Sequence, residues 1–259
     1  MRRKVTAALA ALAASAVSTQ PANSANYASE YSVTAFGLRI ASTRFESTID
    51  DRSYSINASM RARGVARLFT TTAGTLNASG DIGGGAQSSS FDVRYTDNGR
   101  DKRTVISLSG GRVTAASNTP NVSKGDDWIE PTPAQLSGVL DPIGAMLIPA
   151  PSLRQVCART ISTFSGALRA DLKMSYLRTI PFSAKGFSGD AVTCRAQFLP
   201  IAGFNRSKRE INWMRDKGRI EISFAPVGQT GLYAPVKARV KIDGATVNVT
   251  ATRFEQLTN

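Results

Sequence analysis

The chain has 259 residues, with 32 Lys and Arg against 19 Asp and Glu, a formal charge of +13, two cysteines and no histidine. The missing histidine excludes Ser-His-Asp and Cys-His catalysis and removes the side chain most used for proton transfer and metal binding near neutral pH. Two cysteines also fall short of a four-ligand structural zinc site, so no metal or cofactor is expected.

Arg2, Arg3 and Lys4 form a positive start, followed from Val5 to Val17 by a run of small and apolar residues too short to span a bilayer. This pattern predicts a secretory signal peptide over residues 1–25, cleaved after Ala25, and a periplasmic location for the rest. No cysteine follows the apolar run, so no lipid anchor is expected. Beyond residue 25 no apolar stretch approaches the ~20 residues of a membrane helix, which leaves residues 26–259 as one exported domain without a transmembrane segment. Removing the three cations of the signal lowers the formal charge from +13 to +10. That balance favours anionic partners such as phospholipid head groups, lipopolysaccharide phosphates or acidic polymers, while export argues against nucleic acid.

From Tyr31 onward the chain alternates apolar and polar residues between Gly, Asn and Asp turns, which predicts strands and hairpins. Tyr31, Val33 and Ala35 are followed by a break at Gly37, and then Leu38, Ile40, Phe45 and Ile49 mark a second segment. Asp50-Asp51-Arg52 leads into Tyr54, Ile56, Ala58 and Met60. Phe91, Val93 and Tyr95 precede Asp97-Asn98-Gly99, a pairing that favours a tight reversal. Later come Val192, Cys194, Ala196 and Phe198, then Ile211 and Trp213, then Ile220, Ile222 and Phe224 after Asp216-Lys217-Gly218. The clearest hairpin has Val236, Ala238, Val240 and Ile242 before Asp243-Gly244 and Ala245, Val247, Val249 and Ala251 after it. Ten to thirteen strands are expected, in a large antiparallel sheet that must curl or close. The Gly80 to Ser90 stretch, with Gly83-Gly84-Gly85, lacks the following helix and the lysine of a phosphate loop and reads as a hairpin loop.

One segment breaks the alternation. Lys124 to Pro151 carries Pro131, Pro133, Pro142, Pro149 and Pro151, with helical pattern from Ala134 to Leu140 and again after Asp141-Pro142, where Asp141 is a good N-cap and Pro142 a good first residue. Ile143, Met146 and Leu147 fall on one face, as a plug in the core or as a lid over a lipid cavity. Asp126, Asp127, Glu130 and Asp141 cluster in sequence near Trp128, which is compatible with carboxylate-based glycoside hydrolysis or with turn and capping roles. Cys157 and Cys194 read as a structural disulfide stabilising the fold by about 4 kcal/mol in the loop-closure treatment.

The runs Leu140-Asp141-Pro142-Ile143-Gly144-Ala145, Thr163-Phe164-Ser165-Gly166-Ala167-Leu168-Arg169-Ala170-Asp171-Leu172, Gly189-Asp190-Ala191-Val192-Thr193-Cys194-Arg195, Pro200-Ile201-Ala202-Gly203-Phe204 and Tyr233-Ala234-Pro235-Val236-Lys237 resemble the exported proteins of the domain-of-unknown-function family numbered 3108. The resemblance covers Tyr31 to Phe254 and is most specific from Asp141 to Phe204; Ser165 stands where the family usually has an aspartate. It implies an envelope protein with an open or spiral β-barrel, similar to lipoprotein-localisation carriers and periplasmic envelope-integrity proteins, with no assigned chemistry.

The combined expectation is an all-β domain, a curved antiparallel sheet wrapped round a short helix and locked by Cys157 and Cys194. Its expected role is non-enzymatic support of the cell envelope by binding a lipid or lipoprotein in an apolar groove. A scaffold that binds an envelope protein, the cell wall or another anionic envelope surface through its basic exterior, and a carboxylate hydrolase, are the alternatives.

Overall fold

The computed structural model describes residues 24–50, 52–63, 72–83, 87–97 and 99–257. The signal peptide read over residues 1–25 lies outside them up to residue 23, as do Asp51, Asn98 and Gly84-Gly85 of the turns read above.

The first half is a meander of β1 (Ala25–Ala35), β2 (Leu38–Ile49), β3 (Ser53–Ala62), β4 (Ala73–Asp81), β5 (Ser89–Asp97), β6 (Arg100–Ser109) and β7 (Arg112–Thr119). The second half holds β10 (Thr160–Phe164), β11 (Arg169–Ala184), β12 (Phe187–Ala202), β14 (Arg219–Pro226), β15 (Leu232–Ile242) and β16 (Ala245–Leu257). The short pieces β8 (Trp128–Ile129) and β13 (Phe204–Asn205) pair with each other, and β9 (Ile148–Pro149) adds to β15. The sheet runs β10-β11-β12-β14-β15-β16-β1 and then in chain order to β7, so the last strand joins the first and fuses the halves.

Alternation builds this sheet because period-two apolar residues share one face. In register, Ile56, Ala78, Phe91 and Ile106 sit side by side on β3 to β6, all buried. Three positions along, an outward row is Arg44, Ser59, Thr75, Arg94 and Arg103. A twisted sheet of this width cannot stay flat, and its apolar face curls inward without the ladder closing.

The two free edges are sutured by the segment between β8 and β9. On the β7 side, Val113 N–H donates to Leu136 O (3.1 Å) and Gly138 N–H to Gly111 O (2.7 Å); on the β10 side, Leu140 N–H donates to Ser162 O and Phe164 N–H to Leu140 O, both 2.9 Å. Asn118 adds a side-chain tie, accepting from Thr104 Oγ1 (2.8 Å) and donating to Gly166 O (3.0 Å). Part of each edge that would otherwise template a second chain is thereby occupied. The long β11–β12 hairpin folds back so that Lys185 pairs with β16, and Phe187 meets Phe254 edge to face at 5.6 Å.

The curved antiparallel sheet, the short helix and the disulfide expected from sequence are all present, but the helix lies elsewhere in the chain. The one α-helix among the described residues, α1, is Arg209–Asp216, where Ile211 and Trp213 were read as a strand. Two apolar positions cannot separate period two from period 3.6; here Ile211 and Met214 share a helical face, and the helix lies against β12 and β15. The Ala134 to Leu140 stretch forms turns rather than a helix, because its backbone groups are committed to the two sheet edges. After Asp141 the chain makes only a 3-10 turn, Gly144–Met146, since residues between Pro142 and Pro149 are too few to nucleate a longer helix.

Two apolar clusters fill the interior. The larger includes Ile49, Tyr54, Ile56, Phe91, Ile106 and Val236; the smaller surrounds the Cys157–Cys194 disulfide with Val156, Met174, Val192, Ile222 and Phe224. On the outer face Asp92 accepts from Arg103 Nε and Nη2 (2.9 and 2.7 Å) and from Arg94 Nη2 (3.1 Å), and these donors, Arg103 first, pull its carboxyl down to about 2. A carboxyl depressed in the folded state stabilises it above the unfolded value near 3.8 and loses that contribution as pH falls through about 2. Asp92→Asn is therefore expected to lower the urea midpoint at neutral pH, modestly because the arginine partners are half-exposed, and to flatten its decline between pH 4 and pH 2 so that the two proteins converge in acid. An unchanged acid profile in that variant would contradict the assignment.

Candidate functional site

The most site-like feature is an apolar cavity beneath the proline-bounded strap from Asp141 to Ala150. Asp141 sets the strap's course. Its Oδ1 accepts from Ile143 N–H (2.9 Å) and Gly144 N–H (3.0 Å), the cap its position before Pro142 predicts, and its Oδ2 accepts from the Tyr54 hydroxyl at 3.0 Å. The carboxyl is buried, and burial followed by the proximity of Asp141 pushes the Tyr54 phenol well above its usual value. Gly144 passes so close that an added Cβ would stand 2.9 Å from the Tyr54 hydroxyl and 3.1 Å from Asp141 Oδ2, which only glycine avoids.

Beyond this latch the strap divides its side chains between two cores. Ala145 and Ile148 are buried in the cluster around the disulfide. Ile143 and Leu147 pack on the larger cluster and, with Met146, form one wall of the cavity. The three residues read as a plug or lid thus come together on a cavity wall, each half-buried.

The cavity measures about 320 Å³. Its floor is the inner face of the sheet where β16, β1, β2 and β3 adjoin: Val249 and Phe254, Tyr27 and Tyr31, Phe45 and Ile49, and Ile56. Ala234 and Pro235 of β15 complete it. Tyr31 donates its hydroxyl to Pro235 O (2.8 Å) and meets Phe45 edge to face at 5.5 Å; burial pushes its phenol up to about 12, so it stays protonated. The carboxylate on the lining, Glu255, accepts from Arg253 Nε at 2.6 Å. The walls therefore offer mainly apolar surface, with the Tyr31 hydroxyl and the Glu255 carboxylate engaged by neighbours. Such a lining is mostly apolar, with the hydroxyls of Ser29, Thr43 and Ser47 among its polar groups. The cavity volume lies at the lower end of the roughly 300–1,000 Å³ typical of ligand pockets.

The other sequence candidates have structural roles. Asp127 Oδ2 accepts from Ser207 N–H (2.6 Å), and Glu130 Oε2 accepts from Trp128 Nε1 (2.6 Å) and Lys124 Nζ (2.8 Å), with Lys124 over the indole at 5.4 Å. Asp141 is separately engaged with Tyr54 and the strap, so the carboxylates near Trp128 do not converge with it. Cys157 and Cys194 are bonded, tying the turn before β10 to the middle of β12. Among the described residues no three His, Cys, Asp or Glu side chains gather to hold a metal ion, and no helix is long and apolar enough to cross a membrane. Sequence reasoning missed Tyr54 as the partner of Asp141, and Tyr31, Phe45 and Pro235 as cavity walls; their alternation was visible, their convergence was not.

Fold and site together define a large, unclosed antiparallel sheet with a half-open apolar pocket on its inner face. The chain belongs to the family described as "Protein of unknown function (DUF3108)", whose model matches residues 30–252. No curated protein and no solved structure matches it.

Proposed function

We propose that this is an exported, non-enzymatic protein of the cell envelope that binds a lipidic chain, free or carried by a lipoprotein, in the cavity beneath the strap. The observation that carries this reading is the cavity itself: apolar walls about 320 Å³ in extent, with Tyr31 and Glu255 already satisfied by neighbours. Each methylene moved from water into such a space contributes ~0.8 kcal/mol, so a partly sheathed acyl chain binds usefully. The cationic, apolar N-terminus and the disulfide support export, since such bonds persist in oxidising compartments.

Mass spectrometry of organic extracts from gently purified protein, beside a protein of similar size, is expected to recover a stoichiometric lipid. Val249→Trp, which fills the cavity from β16, and Met146→Asp, which places a charge on its wall, are both expected to fold. Each is expected to weaken binding of a dodecyl-chain fluorescent probe at least tenfold, because excluding even two methylenes costs about 1.6 kcal/mol. Probe binding that is equal in the parent and Val249→Trp would overturn the cavity as the site.

A further inference from the structure

Among the described residues five large apolar side chains stand exposed, and three of them, Phe36, Leu38 and Ile242, lie at one corner of the sheet. Phe36 and Gly37 form the β1–β2 turn with φ of 51° and 75°. A phenyl side chain in the left-handed region is uncommon, and this one is 77% exposed, so it does little for the fold it strains. Because Ala35 of β1 pairs with Val247 of β16, the β15–β16 turn at Asp243-Gly244 stands beside it and presents Ile242, 37% exposed. Trp213 of α1 borders the same shallow hollow as Phe36 and Ile242, and Arg209 binds Asp243 at 2.6 Å to hold the helix to the turn.

Behind these tips lies a band of cations. One cross-strand row runs Glu221, Arg239, Asn248, Thr34, Arg39, with Glu221 held by Arg178 at 3.0 Å, and the next runs Arg219, Lys241, Thr246. Among the described residues Arg39, Arg219, Arg239 and Lys241 have no carboxylate within ion-pair distance. Arg219 and Lys241 even sit directly opposite each other, an arrangement that costs stability and that an external anion relieves.

We propose that this corner docks the protein on an anionic lipid surface, with Phe36, Leu38 and Ile242 entering the headgroup layer and the cations behind them meeting lipid phosphates. Apolar loop tips backed by Lys and Arg, with an indole at the boundary, match the layered chemistry of a bilayer interface. Two separate protruding turns suit a yielding surface better than a rigid protein partner, which needs a continuous complementary patch of about 800 Å². None of these side chains lines the cavity, so the inference stands independently of the function proposed above.

Flotation of the full chain with phosphatidylcholine vesicles, with and without phosphatidylglycerol, tests it. Binding is expected to the anionic vesicles alone and to weaken with salt. In a Trp128→Phe background the Trp213 emission is expected to shift to the blue on binding. Phe36→Ser/Leu38→Ser/Ile242→Ser and Arg39→Gln/Arg239→Gln/Lys241→Gln are each expected to lose at least tenfold in vesicle affinity while keeping the urea midpoint. Val249→Trp, which closes the cavity, is expected to float like the parent. Equal flotation of parent and both triple variants would overturn the proposal, as would a parent that ignores anionic vesicles or that instead self-associates through this corner in sedimentation.

Discussion

Asp141→Ala is expected to destabilise the protein by about 3 kcal/mol and to release the strap from the cavity. Three donors lose their acceptor at once: the Ile143 and Gly144 backbone N–H groups and the Tyr54 hydroxyl. A buried donor left unsatisfied costs about 1–3 kcal/mol, and neighbouring losses are less than additive, which sets the expected total. Tyr54→Phe removes one of the three bonds and is expected to cost about 1 kcal/mol. Asp141→Asn keeps an oxygen for the two N–H groups, and its amide donates to a Tyr54 hydroxyl turned to accept, so it is expected to fall between. Urea midpoints rank the three variants. A loss below about 1 kcal/mol for Asp141→Ala would mean the strap is held by Ala145 and Ile148 packing instead. Because Ile143, Met146 and Leu147 hang from this latch, the same variant is expected to weaken dodecyl-probe binding.

How far the sequence revealed this arrangement follows from the range of each signal. The β15–β16 hairpin was plain because its alternation and its Asp243-Gly244 turn are local. The cap by Asp141 was legible for the same reason, since it needs only the two residues that follow. Edge strand β7, Arg112–Thr119, escaped notice because its small polar side chains leave both faces largely exposed and give no apolar rhythm. The reach of β12 from Phe187 to Ala202 exceeded the alternating core of Val192 to Phe198, as paired hairpin arms support one another where burial does not. Strand order was beyond reach: that β16 lies beside β1, or that Leu136 to Leu140 bridges β7 to β10, depends on contacts far apart in sequence. The cavity inherits that difficulty, because its walls come from five strands, the strap and Val227 of the β14–β15 turn. Sequence identified the apolar triad Ile143, Met146 and Leu147, but only the assembled sheet shows what it faces.

Removing the disulfide is expected to have the largest effect of all. The Cys157–Cys194 bond closes a loop of 37 residues, for which chain-entropy arithmetic gives about 4 kcal/mol. In a domain of this size that corresponds to a melting temperature lower by about 10 °C. Both cysteines are fully buried among Val156, Val192 and Phe224, so Cys157→Ser adds the cost of an unpaired hydroxyl and strands a thiol at Cys194. Cys157→Ala/Cys194→Ala removes the cross-link without leaving a thiol, and the parent's mass, two hydrogens lower oxidised than reduced, checks the bond, while reductant leaves the variant's mass unchanged. The cluster round the bond is also where Ala145 and Ile148 anchor the strap's other face. Loss of the bond is therefore expected to weaken dodecyl-probe binding even below the melting temperature, although no cysteine lines the cavity. A double alanine variant that melts with the parent would show that the packing alone holds the turn before β10 against β12. One that melts early yet binds the probe with full affinity would show that the strap is fixed by the Asp141 latch and not by the disulfide cluster.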